Sequence, residues 1–195
     1  HHMRKPGQQA DQRVDAVDQK VCLLAGDAVP FSRSGDLLQA FLPVVECLDD
    51  ILSLNGIDEI HIGLNDLHLS YHLQFMFEPL ANGLVDRIIN QIKQYDIVYG
   101  FGGVAQIGQG TLPAESILME HYRLGSSMVI LSRSFCNLEQ AGSMEEVRNT
   151  FEKGVSSIRS FEQQIKAMQR ENYSKNHAHL ISLVQDICHS MENRT

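Results

Sequence analysis

The chain has 195 residues, 43% hydrophobic and 21% charged, with a formal net charge of −8. That is enough for one domain with a full core and excludes wholesale disorder. The acidic balance disfavours nucleic acid or an anionic membrane as the main partner. No segment approaches the roughly 18 apolar residues of a membrane span, and no signal peptide is visible. The four cysteines, Cys22, Cys47, Cys136 and Cys188, are widely spaced, with no CxxC pair and no zinc pattern. They read as free thiols in a reducing, cytoplasmic compartment.

His1-His2-Met3 reads as the remnant of an expression tag. Residues 4–20 are polar and predict a flexible arm or one short helix. Val21–Ala25 is a compact apolar run that fits a buried strand. Val29–Gly35 reads as a loop. Asp36 caps a short helix through Phe41, or Phe41–Val45 is a strand with a bend at Pro43. Cys47–Leu54 predicts a helix closed by Gly56, with Leu48, Ile51 and Leu52 on one face and Asp49 and Asp50 in solvent. The β-branched residues of Glu59–Leu64 predict a strand, with Gly63 allowing a tight turn. His68–Phe77 reads as a loop with helical turns over a site. Leu84, Val85, Ile88, Ile89 and Ile92 predict an amphipathic helix after Asn82-Gly83. Ile97–Val104 reads as a strand, Leu112–His121 as a helix with Pro113 in its first turn, and Ser126–Leu131 as a further strand. Strands alternating with helices in this order predict parallel βα units.

The C-terminal third changes character. Val147, Phe151, Val155, Ile158, Phe161, Ile165 and Met168 recur at steps of three and four, which predicts a long helix that Gly154 weakens. After Asn172 a second helix carries Leu180, Leu183, Val184, Ile187 and Met191. These helices pack on the outside of the α/β unit or form an oligomer seam. The division expected is therefore an arm at 1–20, an α/β domain at 21–140 and a helical extension at 141–195.

One motif carries chemistry. Gly56-Ile-Asp-Glu-Ile-His-Ile-Gly-Leu-Asn-Asp-Leu67 presents the Asp66 carboxylate at the C-terminal end of a strand, where parallel sheets and barrels place their sites. The same residue also suits a helix cap or a turn. This segment resembles the IGxxDL segment of the pyruvate-type aldolase and citrate lyase β-subunit family. Tyr99–Val104, Leu112–Ser116 and His121–Phe135 match in the same order. The resemblance covers about Asp49 to Phe135 and is nearest to the aldolase-like branch found in surface-polysaccharide gene clusters.

The resemblance implies the C-terminal half of a TIM (β/α)8 barrel, here incomplete, since a full barrel takes about 250 residues. It implies a carbon–carbon lyase that acts on a 2-keto acid such as pyruvate through an enolate. Mg²⁺ or Mn²⁺ would be held by Asp66 and a second carboxylate. Counting back one helix and one strand puts that carboxylate near Ala40, which cannot bind metal; Glu46 is the nearest candidate, with Asp36 on the other side. No residue matches the family's early-strand arginine.

Around Asp66, the backbone N–H groups of Asn65 and Asp66, next to Leu64, are placed to hold a substrate carboxylate. Gly102 and Gly103 leave space at a strand end or simply permit close packing. Ser132 and Arg133 close the last strand, where Arg133 pairs with a phosphate or carboxylate or makes a surface salt bridge. His68, beside Tyr71 and His72, is a candidate general base, and His61 is a candidate barrel histidine. Glu120 and His121 are adjacent on a helix and point about 100° apart, so they form no joint site. Open strand edges in an incomplete barrel need cover, which predicts a homo-oligomer. The rival reading is a catalytically impaired or non-catalytic barrel relative that self-associates or binds a small keto acid or sugar.

Overall fold

The computed structural model describes residues 20–23, 44–54, 57–136 and 142–193. The arm, the loop at 29–35, most of the helix-or-strand segment at 36–45, Ala40 and Gly56 lie outside the described residues. Four strands form one parallel sheet: β1 (Lys20–Leu23), β2 (Glu59–Ile62), β3 (Val98–Val104) and β4 (Met128–Leu131). Their spatial order is their chain order, β1-β2-β3-β4. Right-handed crossovers wound in one direction put the connecting helices on one face of such a sheet.

Between β1 and β2 lie a 3-10 turn at Val44–Cys47 and α1 (Leu48–Leu52). The strand alternative therefore does not reach Val44 and Val45. Leu48 and Leu52 are buried while Asp49 and Asp50 face water. The β2 strand is shorter than its apolar pattern, because Leu64 opens α2 (Leu64–Ser70) instead of extending the strand. Leu64 and Leu67, one turn apart, are both buried, so helical geometry puts into the core what a strand would split between faces. Gly63 sits at φ −76°, an ordinary conformation, and so is not required for this turn. Part of the segment expected to be a loop is thus helical. It continues through turns into α3 (Glu78–Ala81), whose Glu78 carboxylate accepts from the backbone N–H of Gln74 and Phe75, both at 2.7 Å.

The expected amphipathic helix is α4 (Leu84–Ile92), with all five apolar residues buried. Next comes α5 (Ala114–Leu124), with Pro113 at its N-cap rather than in its first turn. The core lies between these helices and one sheet face: Ile60, Ile62, Tyr99, Phe101 and Val104 meet Leu84, Ile88, Ile92, Ile117 and Leu118. The Tyr99 hydroxyl donates to the Leu124 carbonyl at 2.7 Å, tying β3 to the end of α5.

The sheet's other face is different. Strand side chains alternate. In register, Cys22, His61, Gly100 and Met128 lie level across the four strands. Val98 is 48% exposed and Ile130 56% exposed. None of the described helices covers them.

The C-terminal extension is a pair of 23-residue helices, α6 (Met144–Lys166) and α7 (Arg170–Glu192). The second begins at Arg170, earlier than its apolar stripe suggests. The chain α5–β4–α6 completes a fourth βα unit, and α7 packs along α5 and α3 as an outer layer. Of the stripe on α6, Ile158 and Ile165 are buried, whereas Phe151 is exposed. Gly154, expected to weaken α6, packs directly against Phe135. A Cβ there would stand 2.7 Å from Phe135 Cε1, so a side chain at this position collides with the core.

Candidate functional site

The C-terminal ends of β2, β3 and β4 share one edge of the sheet, the edge at which parallel folds bind ligands. Asp66 is the third residue of α2, immediately beyond β2. It is half-buried and has no hydrogen-bond or ion-pair partner among the described residues. The N-cap Gly63 has no side chain, and the first helical bond runs from the Leu67 N–H to the Gly63 carbonyl. The N–H groups of Leu64, Asn65 and Asp66 therefore stand in the unpaired first turn. Asn65 itself is exposed.

Leu64 is a packing residue. Its Cδ1 stands 2.6 Å from where a Cβ on Gly102 would lie. Gly102 has φ +53°, a left-handed conformation that favours glycine, and the β3–β4 register is irregular between Gly100 and Gly103. Gly102 lets α2 close onto β3 beside the edge, whereas a Cβ on Gly103 would meet only the Ile130 carbonyl of β4, at 3.5 Å. His61 on β2 is held below its usual pKa first by burial, opposed by a hydrogen bond to the Gly102 backbone.

The exits of β3 and β4 are tied together. The Ser132 N–H donates to the Val104 carbonyl at 2.8 Å. Ser132 Oγ lies 2.8 Å from Ser134 Oγ and accepts from the Ser134 N–H, capping a 3-10 turn at Arg133–Phe135. Gln106 donates twice to Ser134, from its backbone to Oγ at 3.1 Å and from Nε2 to the carbonyl at 2.5 Å. Ser132 thus has a positioning role, and of the residues tied in with it Gln106 lies outside every motif in the sequence, while Ser134 lies in the His121–Phe135 segment with no role of its own. Arg133 is exposed, with no ion pair among the described residues.

His68 lies on α2 with its Nδ1 buried and unpartnered among the described residues. It is two residues from Asp66, so the two side chains leave the helix on nearly opposite sides. Glu46 is exposed, and its charge acts on Tyr71 at the far end of α2. The Tyr71 hydroxyl is held above its usual range, chiefly by burial, with Arg87 opposing and Glu46 adding to the shift. Among the described residues no group of three or more His, Cys, Asp or Glu could hold a metal ion. A Mg²⁺ ion takes six or so oxygens, of which Asp66 would supply one, and the described residues gather no group that would supply the others.

Glu120 and His121 do diverge, and each has a structural partner set. Glu120 is 0% exposed and accepts from Arg123 Nε at 2.7 Å, His177 Nδ1 at 3.0 Å and Asn176 Nδ2 at 3.2 Å. Arg123 also grips Asp86 of α4 through two bonds, at 2.6 and 2.9 Å. His121 stacks on Phe101 with ring centres 3.8 Å apart. Its pKa is lowered to about 3, chiefly by burial and then by His61, so the ring is neutral. Ser126 Oγ donates to the Met128 carbonyl, so it accepts the Nδ1–H of His121. Compared with known proteins, the chain matches no family model, no curated protein and no solved structure.

Proposed function

We propose that the C-terminal edge of the sheet binds a 2-keto acid such as pyruvate and that the chain is an aldolase-like carbon–carbon lyase. One observation carries this reading: a half-buried carboxylate, Asp66, unpaired among the described residues, stands at the C-terminal end of a strand in a sheet wound in chain order, as a barrel is. The resemblance of Gly56–Leu67 to the aldolase motif supports it. The unpaired first-turn amides of α2 suit the substrate carboxylate. Asp66 beside them repels that anion, so the pair needs a compensating positive charge. A divalent cation at Asp66, Mg²⁺ or Mn²⁺, is its main source, and Arg133, without an ion pair among the described residues at the exit of β4, adds to it. Free Cys47, Cys136 and Cys188 suit a reducing, cytoplasmic setting.

The second reading is a non-catalytic relative that binds the keto acid or self-associates. It is favoured by the position of Glu46, which acts on Tyr71 rather than completing a ligand set at Asp66. Proton exchange separates the two. Pyruvate in D₂O with Mg²⁺ or Mn²⁺ is followed by NMR for loss of methyl protons. The lyase reading expects exchange with the wild type and none with Asp66→Ala. Pyruvate binding without exchange in the wild type establishes the second reading instead.

A further inference from the structure

We infer that two copies of this chain close their sheets against one another into a single eight-stranded parallel barrel, with each β4 pairing to β1 of the second copy. Three observations carry this. The sheet has four parallel strands in chain order, which is half the winding of an eight-stranded (β/α) barrel. The described helices cover only one of its faces, although all-parallel sheets occur almost only with both faces covered. The other face exposes Val98 and Ile130. Finally, β1 and β4 are the open edges of the sheet among the described residues, one at each side. Closure is the arrangement that removes edges altogether.

A two-fold axis along the strands satisfies all three. It creates two equivalent β4–β1 seams, adds no third open edge, and puts all eight strands parallel. The two uncovered faces become the barrel interior, burying Val98 and Ile130. Because every strand runs the same way, the C-terminal edges of both copies meet at one mouth. Asp66, Asn65 and Arg133 then line a walled cavity, where a lone sheet leaves them on an open rim. The purpose of that mouth rests on the keto-acid reading above; the closure itself does not.

The test is sedimentation velocity and light scattering at micromolar concentration, with neither pyruvate nor a divalent cation present. The expected species has twice the 21.9 kDa mass of the chain. Ile130→Lys and Val98→Lys, both at exposed positions, should each weaken association at least tenfold while leaving the far-ultraviolet circular dichroism unchanged. Phe151→Lys on α6, at an exposed ring that meets Phe135 and not the open sheet face, should leave the dimer intact. A wild-type monomer overturns the closure and assigns the cover of the open face to the chain itself. So does a dimer that survives both strand variants, or one broken by Phe151→Lys alone, which places the contact on α6. A monomer leaves the keto-acid reading standing, and a dimer that fails to bind pyruvate overturns that reading alone.

Discussion

Two carboxylates in this protein, Asp66 and Glu120, show how burial and partnership divide structure from function. Glu120 is fully buried and saturated by donors from α5 and α7, and its partner Arg123 reaches on to α4. It is committed to holding three helices together. Asp66 is half-buried at the sheet's C-terminal edge and has no partner among the described residues. A carboxylate left unpaired at a strand end contributes little to stability and is free for a ligand. The sequence already favours Asp66, placed after a strand, and sets Glu120 and His121 aside as pointing about 100° apart, but it gives no sign of the donors gathered around Glu120.

The contrast is broken most forcefully at Glu120. Glu120→Ala leaves Arg123 and His177 facing an empty buried site, and losing one partner of a buried pair costs about 3–5 kcal/mol. Urea denaturation should show a midpoint far below that of the wild type, and an unchanged midpoint would mean that the Glu120 network does not hold the helices together.

His121 gives the same region a pH signature. Its folded pKa of about 3 lies below the ordinary 6.5, so the unfolded chain binds the proton first. Stability from this group is complete above pH 6.5 and is lost as pH falls towards 3, with a slope of at most ~1.4 kcal/mol per pH unit. His61, lowered in the same direction, adds to the trend. Denaturation midpoints collected between pH 7 and 4 should fall less steeply for His121→Phe than for the wild type.

Gly154→Ala sets two effects against each other. Alanine favours a helix over glycine by about 1 kcal/mol. Its Cβ would also sit 2.7 Å from the Phe135 ring, and overpacking typically costs about 1–3 kcal/mol. Phe135 is buried and also meets Phe151, so it has little room to yield, and the melting temperature should drop. A rise would mean that α6 is free to move off the sheet domain.

The smallest stability effect belongs to Asp66→Ala, expected within about 0.5 kcal/mol of the wild type because no bond is broken. A large loss there would mean that Asp66 is a structural cap after all.

Much of the fold was legible because local periodicity decides it. The stripe from Leu84 to Ile92 and the apolar strands could bury themselves in only one way, and the alternation of strand and helix implied parallel βα units. The boundaries were less legible, since Leu64 could extend a strand or open a helix, and only its packing against Gly102 decides. Gly154 read as a flaw in a helix until its neighbour Phe135, nineteen positions earlier, was in place. The Glu120 network was invisible for the same reason: Asp86, Asn176 and His177 come from distant helices, and no spacing rule links them. At the candidate site, Asp66 could be found from its place after a strand. The Gln106–Ser134 tie could not, because Gln106 lies outside every motif and each of its two bonds joins a side chain to a backbone group 28 positions away.

The account stands most directly on Asp66 as a ligand-binding carboxylate. Calorimetric titration of Mg²⁺ or Mn²⁺, with and without pyruvate, into the wild type and Asp66→Ala tests it. The account predicts cation binding that tightens with pyruvate in the wild type and disappears in the variant. Binding that is equal in both proteins, or absent from the wild type, would contradict it.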